Sequence, residues 1–449
     1  MRTWNRWLII MALSINIKAL AQTTSVNVTV KSAIDMALAN NYSLKADSLN
    51  MAAAGYQANA LKSSLLPHLN YNSRAEYNPA IASTMLPGQY VGQPSKEYVP
   101  VQFGTRYTMG SGLEASYNLF RKDLRYQVGA ASLGIGIAKT KHEMSREELV
   151  FQVAGIFYSL QTNAELIRTT THDYQNMEEI VRIAKAQFEN GVLKRIDYES
   201  LQINTANKHS YLNQLETQYK DQLAYFNYLL GLPAENPTAI DDHLPETIQY
   251  TASDKNSMQR ADIRLSYQLI QQKEFELKSI IAENKPQIST YARFNYQSQF
   301  NKTSDINNKD FWYKSSTVGI ATTIPLFDGY RRKNKMNQAK TELAQLKYHQ
   351  EQTMQLATTD QVRAWQTFNN DNLQYQITKQ NLVLAEQVFI SRKALYTEGV
   401  SSLIELLDAE KELSNSRNLY VQAMINVQTS LMNIHKANGT LLTEFIISL

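Results

Sequence analysis

The residues best able to do chemistry are thinly spread. Seven histidines occur, at His68, His142, His172, His209, His243, His349 and His435. None stands at the His-x3-His or His-Glu-x2-His spacing that turns two imidazoles toward one metal from one helix face. Cysteine is absent, so no disulfide, thiolate metal site or cysteine-linked lipid anchor is expected. The one carboxylate–histidine cluster, Asp241-Asp242-His243, falls in the stretch from Pro233 to Pro245, where a solvated linker is the ordinary reading. There is no phosphate loop, nucleophile elbow or glycine-rich dinucleotide turn. The chain therefore reads as a non-enzyme without a cofactor. Ser402-Leu403-Ile404-Glu405 fits a capping box, which uses its acidic side chain to start a helix rather than to move protons.

The elements that would position any site are long and patterned. The chain has 449 residues, 43% hydrophobic and 19% charged. Arg2 and Arg6, the apolar run Trp7 to Leu13 and Ala19-Leu20-Ala21 read as a secretory signal over residues 1–21. A retained anchor is the alternative, but that run is short for a span, which takes about 20 apolar residues. Cleavage removes three cations and lowers the formal charge from +4 to +1. With no dense basic patch, nucleic acid is not an expected partner.

The rest is a doubled half. Phe188-Glu189-Asn190-Gly191-Val192 returns as Tyr396-Thr397-Glu398-Gly399-Val400, and the same shift of 208 carries Ile196 to Ile404, Asp197 to Glu405 and Gly231 to Gly439. The first repeat, 22–231, holds a helix over 31–65, strands over 68–77 and 101–119, and helices over 122–189 and 195–230. A linker over 232–260 follows. The second repeat, 261–449, holds a helix over 261–284, strands over 287–300 and 311–326, and helices over 330–397 and 402–438. The loops 78–100 and 301–310 are rich in Pro, Gly, Asn or Ser and read as exposed.

In the strands, Leu69, Tyr71, Ala75 and Tyr77 alternate with Asn70, Asn72, Arg74 and Glu76, and Ile288, Ala292, Phe294 and Tyr296 with Ser289, Arg293, Asn295 and Gln297. One greasy and one polar face fit a membrane barrel with water inside, and equally a soluble sheet with one buried face. Four strands cannot close a barrel, since the smallest use about 8, and open edges in lipid cost several kcal/mol per unsatisfied group. A membrane reading thus demands oligomerisation. In the helices, Leu149, Val153, Ile156 and Leu160 in one repeat and Ala364, Phe368, Ile377 and Leu384 in the other follow the three-and-four spacing of coiled-coil packing. About 65 residues of helix span roughly 100 Å, the scale of a compartment to be bridged. A coiled-coil envelope tether without a pore shares that feature.

The doubled Gly-Val turns at Gly191 and Gly399, the sequels Ile196-Asp197 and Ile404-Glu405-Leu406-Leu407-Asp408-Ala409, and Ile324-Pro325-Leu326-Phe327-Asp328-Gly329 together resemble the TolC-like outer-membrane efflux protein family over nearly the whole mature chain. The resemblance implies a mainly α fold with β: a homotrimer whose four strands per protomer make a twelve-stranded barrel and whose long helical hairpins make a twelve-helix periplasmic tube. It implies the outer membrane of a Gram-negative bacterium, contact with its lipid, and service as the passive exit duct of a tripartite efflux pump or type I secretion system. The partners would be an inner-membrane transporter and a periplasmic adaptor (membrane fusion) protein. It further implies that Gly191, Val192, Leu193, Gly399, Val400 and Ser401 are the adaptor-binding tips, and that Asp197, Tyr396, Glu405 and Asp408 form the gate. Glu405 and Asp408, three apart, share one helix face, and threefold repetition would ring a pore with six carboxylates that favour cations. The capping role of Glu405 is compatible with this. Asp197 and Tyr396 match partners in the family's latch between hairpins. Ser401 stands where the family has an arginine; Lys194 and Arg195 are the candidate substitutes, with solvated charge at a loop as their ordinary reading.

Overall fold

The computed structural model describes residues 28–241 and 260–447. The expected signal segment lies outside them, as do most of the linker, Asp242 and His243. In chain order the elements are α1 (Val30–Asn40), α2 (Tyr42–Ser63), β1 (His68–Tyr77), β2 (Ser83–Pro87), β3 (Tyr98–Gln102), β4 (Tyr107–Phe120), α3 (Lys122–Glu189) and α4 (Arg195–Leu229). Then come α5 (Ala261–Ala282), β5 (Gln287–Phe300), β6 (Trp312–Thr323), α6 (Arg331–Thr397), α7 (Leu403–Asn438) and α8 (Leu441–Ile447). They fall into two compact units, each drawing on both sequence halves: Ala46–Met144 with Met258–Ala357, and the chain through Lys45 with Ser145–Ser257 and Thr358–Leu449.

The first of these units carries the strands. One antiparallel sheet has the order β1-β4-β5-β6, so β4 and β5 join the two halves. Its register lines Leu69, Ala115, Ala292 and Val318 across the sheet on one face, and Asn70, Glu114, Arg293 and Thr317 on the other. Alternation in sequence has become segregation by face. The apolar face is bare: Val318 is 81% exposed, and Leu69, Tyr71 and Ile320 are likewise open. On the polar face Arg293 binds Glu114 at 2.9 Å and lies over the Tyr291 ring, 4.7 Å from its centroid. β1 and β6 each pair on one side only.

Two expectations are corrected here. The strand expected over 101–119 is two strands in two sheets: β3 pairs with β2 in a separate hairpin, and the chain turns at Gly104 (φ 146°) before β4 begins. The loop 78–100 therefore contains strand as well as turn.

The other unit is helical. The helix expected over 31–65 is broken at Asn41, whose Oδ1 accepts from the N–H of Ser43 (2.9 Å) and Leu44 (3.3 Å) and so caps α2. Its Nδ2 donates to the Leu229 carbonyl at 3.0 Å, tying the break to the end of α4. One core gathers Ile34, Val153, Leu160, Phe226, Leu230 and Leu441. A second, nearer the turns, gathers Met177, Ile180, Leu201, Phe389, Leu403 and Leu406. No helix among the described residues is long and apolar enough to cross a membrane.

Candidate functional site: the paired helix tips

Both hairpins turn by the same backbone device. At the end of α3 the N–H of Gly191 donates to Phe188 O (3.0 Å) and that of Val192 to Gln187 O (2.8 Å). At the end of α6, Gly399 donates to Tyr396 O (3.0 Å) and Val400 to Leu395 O (2.9 Å). This is the Schellman pattern, which satisfies the last helical carbonyls by placing one residue in the left-handed region. Both glycines have φ 74°. Val192 and Val400, next in chain, are exposed; Leu193 packs at the edge of the neighbouring core, and Ser401 is half-buried.

Two contacts hold the site. The Tyr396 ring is 5% exposed, and its hydroxyl donates to Gln187 Oε1 at 3.0 Å, linking α6 to α3. Gln187 thus closes one tip with its carbonyl and holds the other hairpin with its side chain. Burial pushes the Tyr396 hydroxyl pKa up. On the second hairpin, Glu405 accepts from Arg392 Nη1 at 3.0 Å and from Ser401 Oγ. The Ser401 hydrogen bond is the main influence holding the Glu405 carboxyl below the usual carboxylate range, and the Arg392 charge adds to it. Ser402 Oγ accepts from the Glu405 N–H at 3.3 Å and starts α7, so the serine half of the capping box forms while the carboxylate is engaged elsewhere.

Not every expected site residue joins this cluster. Asp408 is exposed one turn beyond Glu405 on α7. Asp197 sits half-buried in the first turn of α4, and the Tyr396 hydroxyl goes to Gln187 instead. Arg195 pairs with Glu199 at 2.7 Å on its own helix, and Lys194 precedes α4 without a side-chain cap bond. The cation beside Ser401 is Arg392, one helical turn before Tyr396. Sequence reasoning missed Gln187 and Arg392. The shift of 208 maps Gln187 onto Leu395, and a polar residue against an apolar counterpart was the available signal.

Further along the helices, ionic contacts tie all four together. Arg417 on α7 donates to both oxygens of Asp173 on α3 (2.7 and 2.8 Å) and to Glu386 on α6 (3.3 Å). Lys208 on α4 binds Glu410 and lies 3.9 Å from Asp173. Among the described residues no group of three or more His, Cys, Asp or Glu could hold a metal.

Strand pairs with a bare apolar face, joined to long helical hairpins with matched tips, define a class: channel-forming proteins that meet lipid with strands and water with helices. The model of the outer membrane efflux protein family matches residues 33–232 and 259–440, and the chain belongs to that family. It is similar to the toluene efflux pump outer membrane protein TtgC of Pseudomonas putida, 23% identical over 427 residues, 90% of this chain and 82% of the relative. The fold matches the crystallised CusC with a TM-score of 0.75 at 19% identity, over 95% of both chains. It also matches the Campylobacter jejuni CmeC outer membrane channel, with a TM-score of 0.76 at 18% identity over 92% and 86% of the two chains. The protein is an outer-membrane efflux channel of TolC-like fold, made of strands toward lipid and helices toward the periplasm.

Proposed function

We propose that three copies of this chain close one barrel and one tube, gated at the paired tips. Each copy offers a four-stranded sheet with open rims at β1 and β6, and lipid does not tolerate an open rim because its backbone groups find no partner. Three sheets give twelve strands, within the range of closed membrane barrels. The polar face, with Asn70, Glu114 and Arg293, then lines a wet lumen.

The observation that carries the gate is the pair of contacts Tyr396–Gln187 and Arg392–Glu405. They clamp the α6/α7 tip at its base while leaving Asp408 free to face a pore. Glu405 and Asp408 from three copies make the acidic ring, and Asp197 sits at the mouth of the facing hairpin. Gly191-Val192-Leu193 and Gly399-Val400-Ser401 are the tips that a periplasmic adaptor would receive, with Val192 and Val400 exposed; an inner-membrane transporter joined through that adaptor supplies the energy. Transport through the duct is passive.

Single-channel recording in planar bilayers tests the gate. Glu405→Ala with Asp408→Ala is expected to raise conductance and weaken cation preference. Unchanged values for both would remove these residues from the gate.

A further inference from the structure

The corner between β6 and α6 holds features that the gate and the barrel do not use. After Thr323 the chain leaves the sheet and turns at Gly329 and Tyr330, both at φ 64°, and Tyr330 is the one non-glycine residue with positive φ among the described residues. A left-handed backbone is strained for a residue with a side chain, yet the Tyr330 ring is not buried. It stands exposed, edge-on to Phe327 with ring centroids 5.6 Å apart. Leu326 beside them is 91% exposed. Ile324 and Leu326 continue the alternate positions of Val318 and Ile320, the apolar face of β6.

Cations follow at once. Arg331, Arg332, Lys333 and Lys335 fall within five positions. Arg332 lies 3.9 Å from Asp328, and Lys335 lies 3.9 Å from Glu283. Arg331 and Lys333 have no carboxylate within 4.0 Å among the described residues, and Lys333 Nζ sits over the Tyr330 ring, 5.9 Å from its centroid. Between this corner and α5 lies a groove of about 340 Å³. Ile280, Leu326, Phe327 and Met336 give it apolar walls, and Asp328, Arg332 and Lys333 also line it.

Apolar walls, interfacial aromatic rings and surplus cations meet at the helix end of the strands. The other end carries the long loops, which face outward in membrane barrels, so this end lies at the periplasmic leaflet. We propose that this corner binds an anionic phospholipid of the periplasmic leaflet, one acyl chain in the groove and the phosphate against Arg332 and Lys333, the two cations that line it. The site rests on the outer-membrane channel reading and adds a lipid ligand to it. Charge complementarity selects the occupant: Arg332 and Lys333 line the groove against the single carboxylate of Asp328, and each cation near a lipid surface contributes about fivefold to binding of an anionic headgroup.

The test uses the full-length channel purified in detergent. Native mass spectrometry counts bound phosphatidylglycerol and phosphatidylethanolamine, and conductance is recorded from the same sample. The wild type is expected to keep phosphatidylglycerol in preference. Arg332→Gln with Lys333→Gln should weaken it roughly twenty-five-fold, since two cations are lost. Phe327→Ala should weaken both lipids while leaving the charge preference intact. Glycerol phosphate, which lacks acyl chains, should not displace the lipid; displacement would reduce the site to a phosphate contact and overturn the proposal. Equal binding of the two lipids, or variants that bind like the wild type, would also overturn it while a conducting trimer leaves the channel reading intact. Variants that fall apart into single chains would make the corner a contact between copies instead. A wild type that neither conducts nor assembles would count against the channel reading itself.

Discussion

Tyr396, Gln187, Arg392 and Glu405 set what single substitutions do at the tips. Tyr396→Phe removes one hydrogen bond, worth about 1 kcal/mol, without emptying the core that the ring fills. We expect about fivefold more frequent opening in bilayer recordings, with thermal unfolding nearly unchanged. Glu405 gives a pH signature. Its folded pKa lies below the ordinary carboxylate value of about 4.3, mainly through Ser401 and also through Arg392. A depressed carboxylate contributes fully above its unfolded pKa and loses that contribution as pH falls through the folded value. The Arg392–Glu405 contact should therefore persist through mild acid, with opening rising only at a pH below the ordinary carboxylate range. Conductance measured against pH checks this, and Arg392→Gln should flatten the acidic rise.

Helices and their ends carry the next set of expectations. Gly191 and Gly399 meet nothing within 4 Å of an added Cβ, so alanine there adds only left-handed strain, about 1–2 kcal/mol. At Gly231 an added Cβ would stand 2.8 Å from the Asn40 carbonyl oxygen, and alanine should cost more than at either tip. Thermal unfolding of the three variants orders them. The ionic cluster predicts a larger loss. Asp173 is 8% exposed, and Arg417→Met would leave its buried charge with only Lys208, 3.9 Å away, a cost toward the lower end of about 3–5 kcal/mol. Asp173→Asn in the same chain should recover much of that loss, because no poorly paired buried carboxylate then remains and Lys208 keeps Glu410. Full additivity of the two substitutions would show the pair to be independent and this account wrong.

Assembly is decided at the scale of the molecule. The sheet has a bare apolar face and two open rims, so the isolated chain is incomplete in either solvent. Light scattering in detergent is expected to return three chain masses, and removal of detergent should precipitate the protein. A single-chain species stable in plain buffer would contradict the assembly. The units reinforce the point: neither coincides with a sequence half, because β4 pairs with β5 and the helices of both halves share their cores.

What the amino-acid order determined was local. Period-two alternation located β1 and β5, the absence of proline over 122–189 allowed one unbroken α3, and Gly191, Gly231, Gly399 and Gly439 marked the ends of four helices, where each takes positive φ. These signals reside in a few consecutive residues, so they are legible without a fold. The doubled Gly-Val turns, their acidic sequels and Ile324-Pro325-Leu326-Phe327-Asp328-Gly329, in that order of elements, pointed to the family together. Tertiary structure decided which side chains meet. Asn41 breaks a helix because Leu229 offers it a carbonyl from far along the chain, and Gln187 meets Tyr396 only because α3 and α6 lie side by side. Arg392 rather than Lys194 or Arg195 serves Glu405, since the reach of a cation depends on helix phase and neighbours, which spacing along one chain does not encode.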